Sequence, residues 1–206
     1  MDPQGRKAHW ENIYGSKAEA QVSWFQETAT TSLELLHHPS VTRDSAIIDV
    51  GGGASRLADA LLDRGHTDLT VLDLSGAALA AARKRLGARA AAVRWIEADI
   101  TQWTPSTAYD AWHDRAVLHF LTEEADRAAY LRALRRGVKP GGLVVIASFA
   151  LDGPEKCSNL PVQRYSPETL AALLGPEFKP LDSRTETHRT PGGNEQKFQF
   201  SRFIRV

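Results

Sequence analysis

Short apolar runs alternate along this chain with longer segments in which apolar residues recur at helical spacing. Short apolar runs between turn residues are typical of strands in a sheet that is covered on both faces. The pattern predicts strands at 46–50, 69–73, about 91–97, about 109–114 and 142–149, and helices at 54–64, 76–86 and about 123–136. Repeated alternation of strand and helix predicts a parallel sheet with helices on both faces.

The two ends of the chain differ from this alternating core. Residues 7–39 have helical character and an aromatic load that makes them a candidate lid, including a helix from Thr30 to His38 that stops at Pro39. Toward the other end, a short helix begins after Ser166 and runs to about Leu174. The last segments, 179–189 and 196–206, flank a glycine turn and predict an antiparallel hairpin.

Three consecutive glycines, Gly51, Gly52 and Gly53, follow the first predicted strand and precede a helix. Glycine permits a positive φ and lets a ligand contact the main chain, and a strand, glycine turn and helix N-terminus together form a nucleotide-type pocket. The pattern is not GxGxxG, because Arg56 stands where the third glycine would be, and no GK[ST] follows. We therefore expect a nucleoside ligand that need not contain a pyrophosphate.

Acidic residues mark the ends of the first three predicted strands. Asp73 follows Asp49 at the spacing of one βαβ unit, where the carboxylate beside the glycine turn can accept both ribose hydroxyls. Asp99 follows the third strand, where it can accept from an adenine amine while Ile100 packs on the purine face. Each aspartate alone is also a favourable helix cap or turn residue. Three at successive strand ends after a triple glycine favour the pocket.

These segments resemble the ordered motifs of the class I S-adenosylmethionine-dependent methyltransferases, of the bacterial small-molecule type. The resemblance covers roughly residues 45–150. The motifs are Ile47-Ile48-Asp49-Val50-Gly51-Gly52-Gly53, Val71-Leu72-Asp73-Leu74-Ser75, Glu97-Ala98-Asp99-Ile100, the stretch from Tyr109 to His119, and Val138-Lys139-Pro140-Gly141-Gly142.

The resemblance implies an α/β, Rossmann-like fold with a seven-stranded, mostly parallel sheet that ends in a C-terminal antiparallel hairpin. It implies S-adenosylmethionine as cofactor and S-adenosylhomocysteine as product. Asp49 and the glycines would line the methionine, Asp73 with Leu74 would hold the ribose, and Asp99 with Ile100 would meet the adenine. Asp114 and Trp24 complete the expected cofactor set, and Lys139 to Gly142 would form the turn into the fifth strand.

We expect a single domain over 1–206. It divides into an N-terminal helical lid (1–39), a cofactor-binding core (40–150), and an acceptor loop, short helix and terminal hairpin (151–206).

The end of the fourth strand is the expected place of chemistry, because ligands of open α/β sheets bind beyond the carboxyl ends of the strands. His113, Asp114, Arg115 and His119 are the catalytic candidates, and Arg115 and His119 are also candidate substrate ligands. If a helical turn begins near Arg115, His119 lies on the same face. An imidazole with an ordinary pKa of about 6.5 suits a thiol, hydroxyl or amine acceptor as base or hydrogen-bond partner. The alternative for each residue is a packed or capping role.

Further substrate candidates come from the lid and from the long loop after the fifth strand. Phe25, next to Trp24, can reach the sulfonium or the acceptor, since aromatic faces attract cations. Arg164 and Tyr165 can fix an anionic or planar substrate. Cys157 can line the pocket, but no histidine and acid near it in the sequence support a nucleophilic role.

The amino-acid composition limits the classes of binding partner that we expect. Twenty-five basic and twenty-five acidic residues cancel, which gives no overall field for nucleic acid or an anionic membrane. One cysteine and the absence of CxxC and HExxH patterns predict no disulfide framework and no metal site. The N-terminus has no apolar signal segment, and no apolar run reaches the ~20 residues of a membrane span. We expect a soluble cytoplasmic protein, monomer or homodimer.

The predicted function is transfer of a methyl group to a small-molecule acceptor, preferably a thiol or hydroxyl, in one step without metal. A protein lysine or other N-methyltransferase is an alternative, although Trp112-His113-Asp114-Arg115 replaces the Asn-Pro-Pro-Tyr-like element of amide and adenine methylation. A non-catalytic cofactor-binding regulatory module is a second alternative. A nicotinamide dehydrogenase is disfavoured by Arg56.

Overall fold

The computed structural model describes residues 2–206, so Met1, the first residue of the predicted domain, lies outside the described residues. Seven strands form the central sheet in the order β3-β2-β1-β4-β5-β9-β8. Their bounds are β1 Ile47–Val50, β2 Leu69–Asp73, β3 Val93–Glu97, β4 Tyr109–Arg115, β5 Val138–Phe149, β8 Phe178–Arg189 and β9 Glu195–Arg205. The remaining strands, β6 Lys156–Cys157 and β7 Leu160–Pro161, form a separate small hairpin.

Strands β1 to β5 run parallel, whereas β9 pairs antiparallel with β5 and β8 pairs antiparallel with β9. This topology confirms the predicted α/β, Rossmann-like sheet with its C-terminal antiparallel hairpin. The helices are α1 Pro3–Ser16, α2 Thr30–Leu36, α3 Leu57–Asp63, α4 Gly76–Leu86, α5 Glu124–Gly137 and α6 Pro167–Leu174. Within residues 2–206, none of the helices has the length and apolar character needed to cross a membrane.

Side-chain alternation along the strands divides the core into two layers. Ile47 of β1 and Val145 of β5 face α2 and α3, where they pack with Leu33 and Leu57. The adjacent residues Ile48 and Val144 face the opposite side of the sheet. The core layer on that side also includes Trp112, Tyr130, Leu134, Leu170 and Leu174 from β4, α5 and α6. Because successive strand residues point to opposite faces, a sheet covered on both sides needs the uninterrupted apolar runs seen in the sequence.

Three boundaries differ from the sequence expectation for local reasons. Helix α3 begins at Leu57 instead of residue 54, because the preceding turn contains positive φ angles at Gly51 (69°) and Gly53 (43°). Strand β5 begins at Val138, so the predicted Lys139–Gly142 turn lies inside the strand. There the pairing of β5 with β4 shifts register between Tyr109 and Ala111. The lid segment expected at 7–39 contains two helices, α1 and α2, because the chain leaves helical geometry between Ser16 and Thr30 except for one 3₁₀ turn.

Gly137 at the end of α5 packs directly on the ring of Trp112. A Cβ at this position would lie 2.7 Å from Cζ3 of Trp112 and 3.1 Å from Cγ of Pro105. Trp112 is fully buried and donates from Nε1 to the Tyr130 hydroxyl at 3.2 Å. The ring therefore has little freedom to move aside. We predict that Gly137→Ala lowers the free energy of unfolding by about 1–3 kcal/mol, measured by urea denaturation.

Gly15→Ala in α1 is the matched control, since a Cβ there meets no atom within 4 Å. This variant should be at least as stable as the parent chain, because alanine favours a helix more than glycine does. Equal stability of the Gly137→Ala variant would show that Trp112 is not confined as the structure indicates.

Candidate active site

A cavity opens at the carboxyl ends of β1, β2 and β4, and α1 covers it. The predicted site residues that line it are Trp24, Gly51, Asp73, Leu74, Asp99, Ile100, Arg115 and His119. A second cavity adjoins the first behind the glycine loop. The predicted residues that line the second cavity are Trp24, Phe25, Asp49, Gly51, Gly52, His113 and Arg115.

The glycine loop offers bare main chain to a ligand. A Cβ at Gly51 would overlap the Val117 side chain, and one at Gly53 would lie 2.7 Å from Oδ2 of Asp73 and 3.2 Å from the Tyr14 hydroxyl. Side chains are therefore excluded at both positions, and Gly51 presents its main chain to both cavities. A nucleoside ligand can contact main-chain atoms at such a turn.

Asp49 is held beneath this loop by a buried hydrogen-bond chain. Its Oδ1 lies 2.7 Å from Nδ1 of His113, and Nε2 of His113 lies 2.9 Å from Oγ of Ser32. A carboxylate only accepts, so Nδ1–H donates to Asp49, and in the neutral ring Nε2 accepts from Ser32. Ser32 is enclosed within α2. The chain therefore positions Asp49 and the loop, and it does not present a serine nucleophile.

Asp73 ends β2 as a buried carboxyl group whose Oδ1 accepts from the Ser75 main-chain N–H at 2.8 Å. Burial, with additional repulsion from Asp49 and Glu11, raises the pKa of Asp73 to about 7. Hydroxyl groups that donate to this carboxyl would favour its ionised form. The residue therefore has the chemistry to accept from a ribose diol, and that role stays a prediction.

Asp99 lines the cavity, but its carboxylate already accepts four hydrogen bonds from two residues. Its Oδ2 accepts from Nε and Nη2 of Arg6 at 3.2 and 2.9 Å, and its Oδ1 accepts from the Thr101 N–H and hydroxyl at 2.9 and 2.7 Å. Arg6 also bonds Asp126 at 2.7 Å. Together with Glu11, which accepts from the Gly76 N–H at 2.6 Å, these bonds attach α1 across the ends of β2 and β3.

Asp114 does not line either cavity. Its carboxylate accepts from the Val117 N–H at 2.7 Å, the Leu118 N–H at 3.1 Å and the Tyr130 hydroxyl at 2.7 Å. Burial raises the pKa of this group to about 6. Asp114 therefore shapes the turn after β4 from the α5 side of the sheet, instead of contacting a ligand through its side chain.

His119 and Arg115 both reach the cavity, although not through the expected helical turn. Ala116 has a φ of 75°, and a 3₁₀ turn from Leu118 to Phe120 follows. His119 is fully buried, and neither ring nitrogen has a hydrogen-bond partner among residues 2–206. Burial, with the charge of Arg115, lowers the pKa of His119 to about 3. The ring is therefore neutral at physiological pH and offers one donor and one acceptor.

Three cavity residues on α1 lie outside the predicted site set, namely Arg6, Trp10 and Tyr14, although Trp10 and Tyr14 belong to the aromatic residues of the candidate lid. Their spacing of four residues places them on one helix face, which is the signal that could have identified them. The Trp10 ring lies 5.6 Å from that of Trp24 and 5.0 Å from that of Phe120, and Nε1 of Trp24 donates to the Tyr14 hydroxyl at 3.1 Å. These rings form an aromatic wall on the lid side of the cavity.

The remaining predicted substrate residues lie apart from the main cavity. Phe25 faces the second cavity, where the Arg56 guanidinium lies 5.2 Å from its ring centroid. Arg164 donates to the Gly153 carbonyl at 3.1 Å and pairs with Glu155, and Tyr165 packs in the α5–α6 layer. Cys157 does line the cavity, but burial raises the pKa of its thiol to about 11, which keeps it protonated.

Comparison with known proteins finds similar sequences over the central part of this chain. Residues 47–142 match a family model described as "Methyltransferase domain". A trans-aconitate 2-methyltransferase of Acidovorax ebreus (strain TPSY) is 34% identical over 121 residues, which are 58% of this chain and 44% of that protein. A mouse eEF1A lysine and N-terminal methyltransferase is 24% identical over 124 residues, which are 59% of this chain and 18% of that protein. The matched region thus spans less than half the length of these relatives.

Solved structures share the fold over nearly the whole chain. The Burkholderia thailandensis 1,6-didemethyltoxoflavin-N1-methyltransferase, solved with bound 1,6-didemethyltoxoflavin and S-adenosylhomocysteine, has a TM-score of 0.75 and 22% identity, covering 100% of this chain and 91% of its own. An S-adenosylmethionine-dependent methyltransferase from Anabaena variabilis ATCC 29413 has a TM-score of 0.77 and 14% identity, covering 100% and 96%. The matches confirm the resemblance stated from the sequence motifs.

The raised pKa of Asp73 makes the stability of the ligand-free protein depend on pH. A carboxyl group with a folded-state pKa of about 7 and an ordinary value of 3.8 binds its proton more tightly in the folded protein. Its stabilising contribution is fully present below pH 4 and is lost as the pH rises to about 7. We predict that this loss of stability between pH 4 and pH 7 is absent from Asp73→Asn. The free energy of unfolding is measured by urea denaturation across that pH range.

Asp68→Asn, at an exposed position before β2, is the control and should leave the pH dependence unchanged. If the Asp73→Asn variant retains the parent curve, Asp73 titrates as an ordinary carboxyl group.

Proposed function

We propose that this chain, which belongs to the class I S-adenosylmethionine-dependent methyltransferases, transfers a methyl group to a small-molecule acceptor. The observation that carries the proposal is one continuous cavity with two chemically different ends. Asp73, Asp99 and Ile100 line one end, and Arg115 and His119 line the other. Such a cavity can hold a nucleoside donor and an acceptor in contact.

S-adenosylmethionine, when bound, supplies a methyl group on a positively charged sulfur. The chain supplies its binding site: Asp73 accepts from the ribose, Leu74 and Ile100 pack on the nucleoside, and the glycine loop accommodates the methionine end. The aromatic wall of Trp10, Tyr14, Trp24 and Phe120 attracts a cation and excludes water. Alignment of donor and acceptor in a dry cavity is the principal contribution that a protein makes to this type of displacement.

At the acceptor end, the thiol or hydroxyl predicted from the sequence remains our proposal. The neutral His119 ring can accept a hydrogen bond from either group. Because its pKa is lowered to about 3, the ring suits orientation of the acceptor better than removal of a proton. His119 thus fixes the direction of the lone pair that attacks the methyl group. The proton of the thiol or hydroxyl leaves to solvent, and the new bond to the methyl carbon forms as the carbon–sulfur bond of the donor breaks.

The names of the relatives support a small-molecule acceptor. The Acidovorax relative is named for trans-aconitate, and the Burkholderia structure contains a small heterocycle. The mouse relative is named for protein lysine and N-terminal methylation, which is the second candidate function. The acceptor end is formed by the deeply buried side chains of His119, Cys157 and Phe198, which suits an acceptor that enters whole.

Cofactor binding is tested by isothermal titration of the protein with S-adenosylhomocysteine and with NAD⁺. We predict binding of the first and not of the second. Asp73→Ala should weaken S-adenosylhomocysteine binding by about 10- to 150-fold, since hydrogen bonds to a charged group contribute roughly 1.5–3 kcal/mol. Asp68→Ala is the control and should bind like the parent chain. Failure of the parent chain to bind S-adenosylhomocysteine would overturn the proposed function.

Turnover is tested with a panel of thiols, phenols, carboxylates and peptides, with methylated products detected by mass. We predict that small molecules are methylated and peptides are not. His119→Ala should lower kcat about tenfold or more by loss of an orienting hydrogen bond, while the Kd for S-adenosylhomocysteine stays the same. The parent pH profile should show no His119 titration between pH 6 and pH 8. Unaltered turnover would remove His119 from the mechanism.

A further inference from the structure

Arg115 lines the cavity and carries a hydrogen-bonding edge that has no partner among residues 2–206. Its Nη1 donates to the Trp24 carbonyl at 3.1 Å. Its Nε and Nη2 are buried and have no hydrogen-bond partner among residues 2–206. These two N–H groups lie on the same side of the planar guanidinium, so they form the fork that matches the two oxygens of a carboxylate.

Other arginines of this chain show which groups the Nε and Nη2 edge binds. Nε and Nη2 of Arg85 donate to the two oxygens of Asp59 at 3.0 and 2.7 Å. Arg202 uses the same two nitrogens for the two oxygens of Asp182. Arg6 directs its Nε and Nη2 at Asp99. In each case a carboxylate of the protein meets this edge, whereas Arg115 has no such partner in the described chain.

The surroundings of Arg115 do not neutralise its charge directly. The guanidinium lies 4.7 Å from the ring centroid of Phe198, and the neighbouring ring of His119 is neutral. Glu186 and Asp49 exert a field on it, but Glu186 accepts from the Gln26 amide at 2.9 Å and Asp49 is bonded to His113. A buried cation with unpaired donors costs folding free energy, and such groups concentrate at binding sites.

We infer that the acceptor carries a carboxylate, which binds in a bidentate manner to Nε and Nη2 of Arg115. This inference rests on the proposed function and names the acceptor class: a small acidic molecule whose thiol or hydroxyl lies at His119 while its carboxylate lies at Arg115. The carboxylate anchors the acceptor and is not the atom that the proposal assigns to methylation.

The position of Arg115 favours the acceptor over the carboxylate of the cofactor as the source of the anion. Phe198 of β9 lies beneath the guanidinium, and His119 and Cys157 line the same end of the cavity. Because Arg115 also borders the second cavity beside Gly51 and Gly52, the experiment must separate the two sources.

Paired probes provide that separation. The protein saturated with S-adenosylhomocysteine is titrated with 4-mercaptobenzoate and 4-mercaptobenzamide, and with 4-hydroxybenzoate and 4-hydroxybenzamide. We expect each carboxylate to bind at least tenfold more tightly than its amide. The ratio should fall to near one in Arg115→Met, while Arg184→Met, at an exposed arginine of β8 that pairs with Glu34, should retain the parent ratio.

Arg115→Lys is the second variant, in case Arg115→Met does not fold as judged by circular dichroism. It keeps the charge but loses the fork, and it should lower the carboxylate-to-amide ratio severalfold. The inference is overturned if no carboxylate binds or if the amides bind equally well. It is also overturned if the substitutions of Arg115 leave the carboxylate-to-amide ratio unchanged.

A separate measurement identifies the anion. If Arg115→Met weakens S-adenosylhomocysteine binding tenfold and leaves the probe ratio intact, Arg115 serves the cofactor and the inference is overturned. If the parent chain fails to bind S-adenosylhomocysteine at all, the proposed function itself fails, which is a different result.

Discussion

The close approach of the main chain at Gly51–Gly53 to its neighbours is the constraint on which the site depends. The loop passes so near Val117, Asp49 and Asp73 that side chains at these glycines would collide with them. Ser32, His113 and Asp49 hold the loop from behind and connect α2, β4 and β1 in one buried hydrogen-bond chain. The ends of parallel β1, β2 and β4 lie at one edge of the sheet, and the tight turn leaves room for a cavity there.

Strand parity explains which parts of the site the sequence could predict. The apolar runs and the acidic strand ends predicted a shared rim, since parallel strands end at the same edge, and Gly51, Asp73 and Asp99 do line one cavity. Along β4, His113 and Arg115 point to one face, and Trp112 and Asp114 point to the other. Alternation therefore separates Asp114 from its two neighbours, although all three follow one another in the sequence.

Other features depend on tertiary contacts that spacing does not encode. Arg164 and Tyr165 follow β5 in a long loop, yet the loop turns Arg164 toward Glu155 and Tyr165 into the α5–α6 layer. The aromatic residues of α1 made this segment a candidate lid in the sequence. Its attachment was not predictable, because Arg6 bonds two carboxylates that follow it by 93 and 120 residues. Only the folded chain shows that this basic residue meets the aspartate expected at the adenine.

That meeting links the lid to the cofactor site through one carboxylate. A carboxylate has about four lone-pair positions, and Asp99 uses four contacts with Arg6 and Thr101. An adenine amine can therefore donate to Asp99 only if one of these contacts is released. The two bonds from Arg6 belong to α1, which also carries Trp10 and Tyr14 over the cavity. In the proposed binding mode, an adenine amine that donates to Asp99 would compete with the residue that attaches the lid, which would couple nucleoside binding to the position of α1.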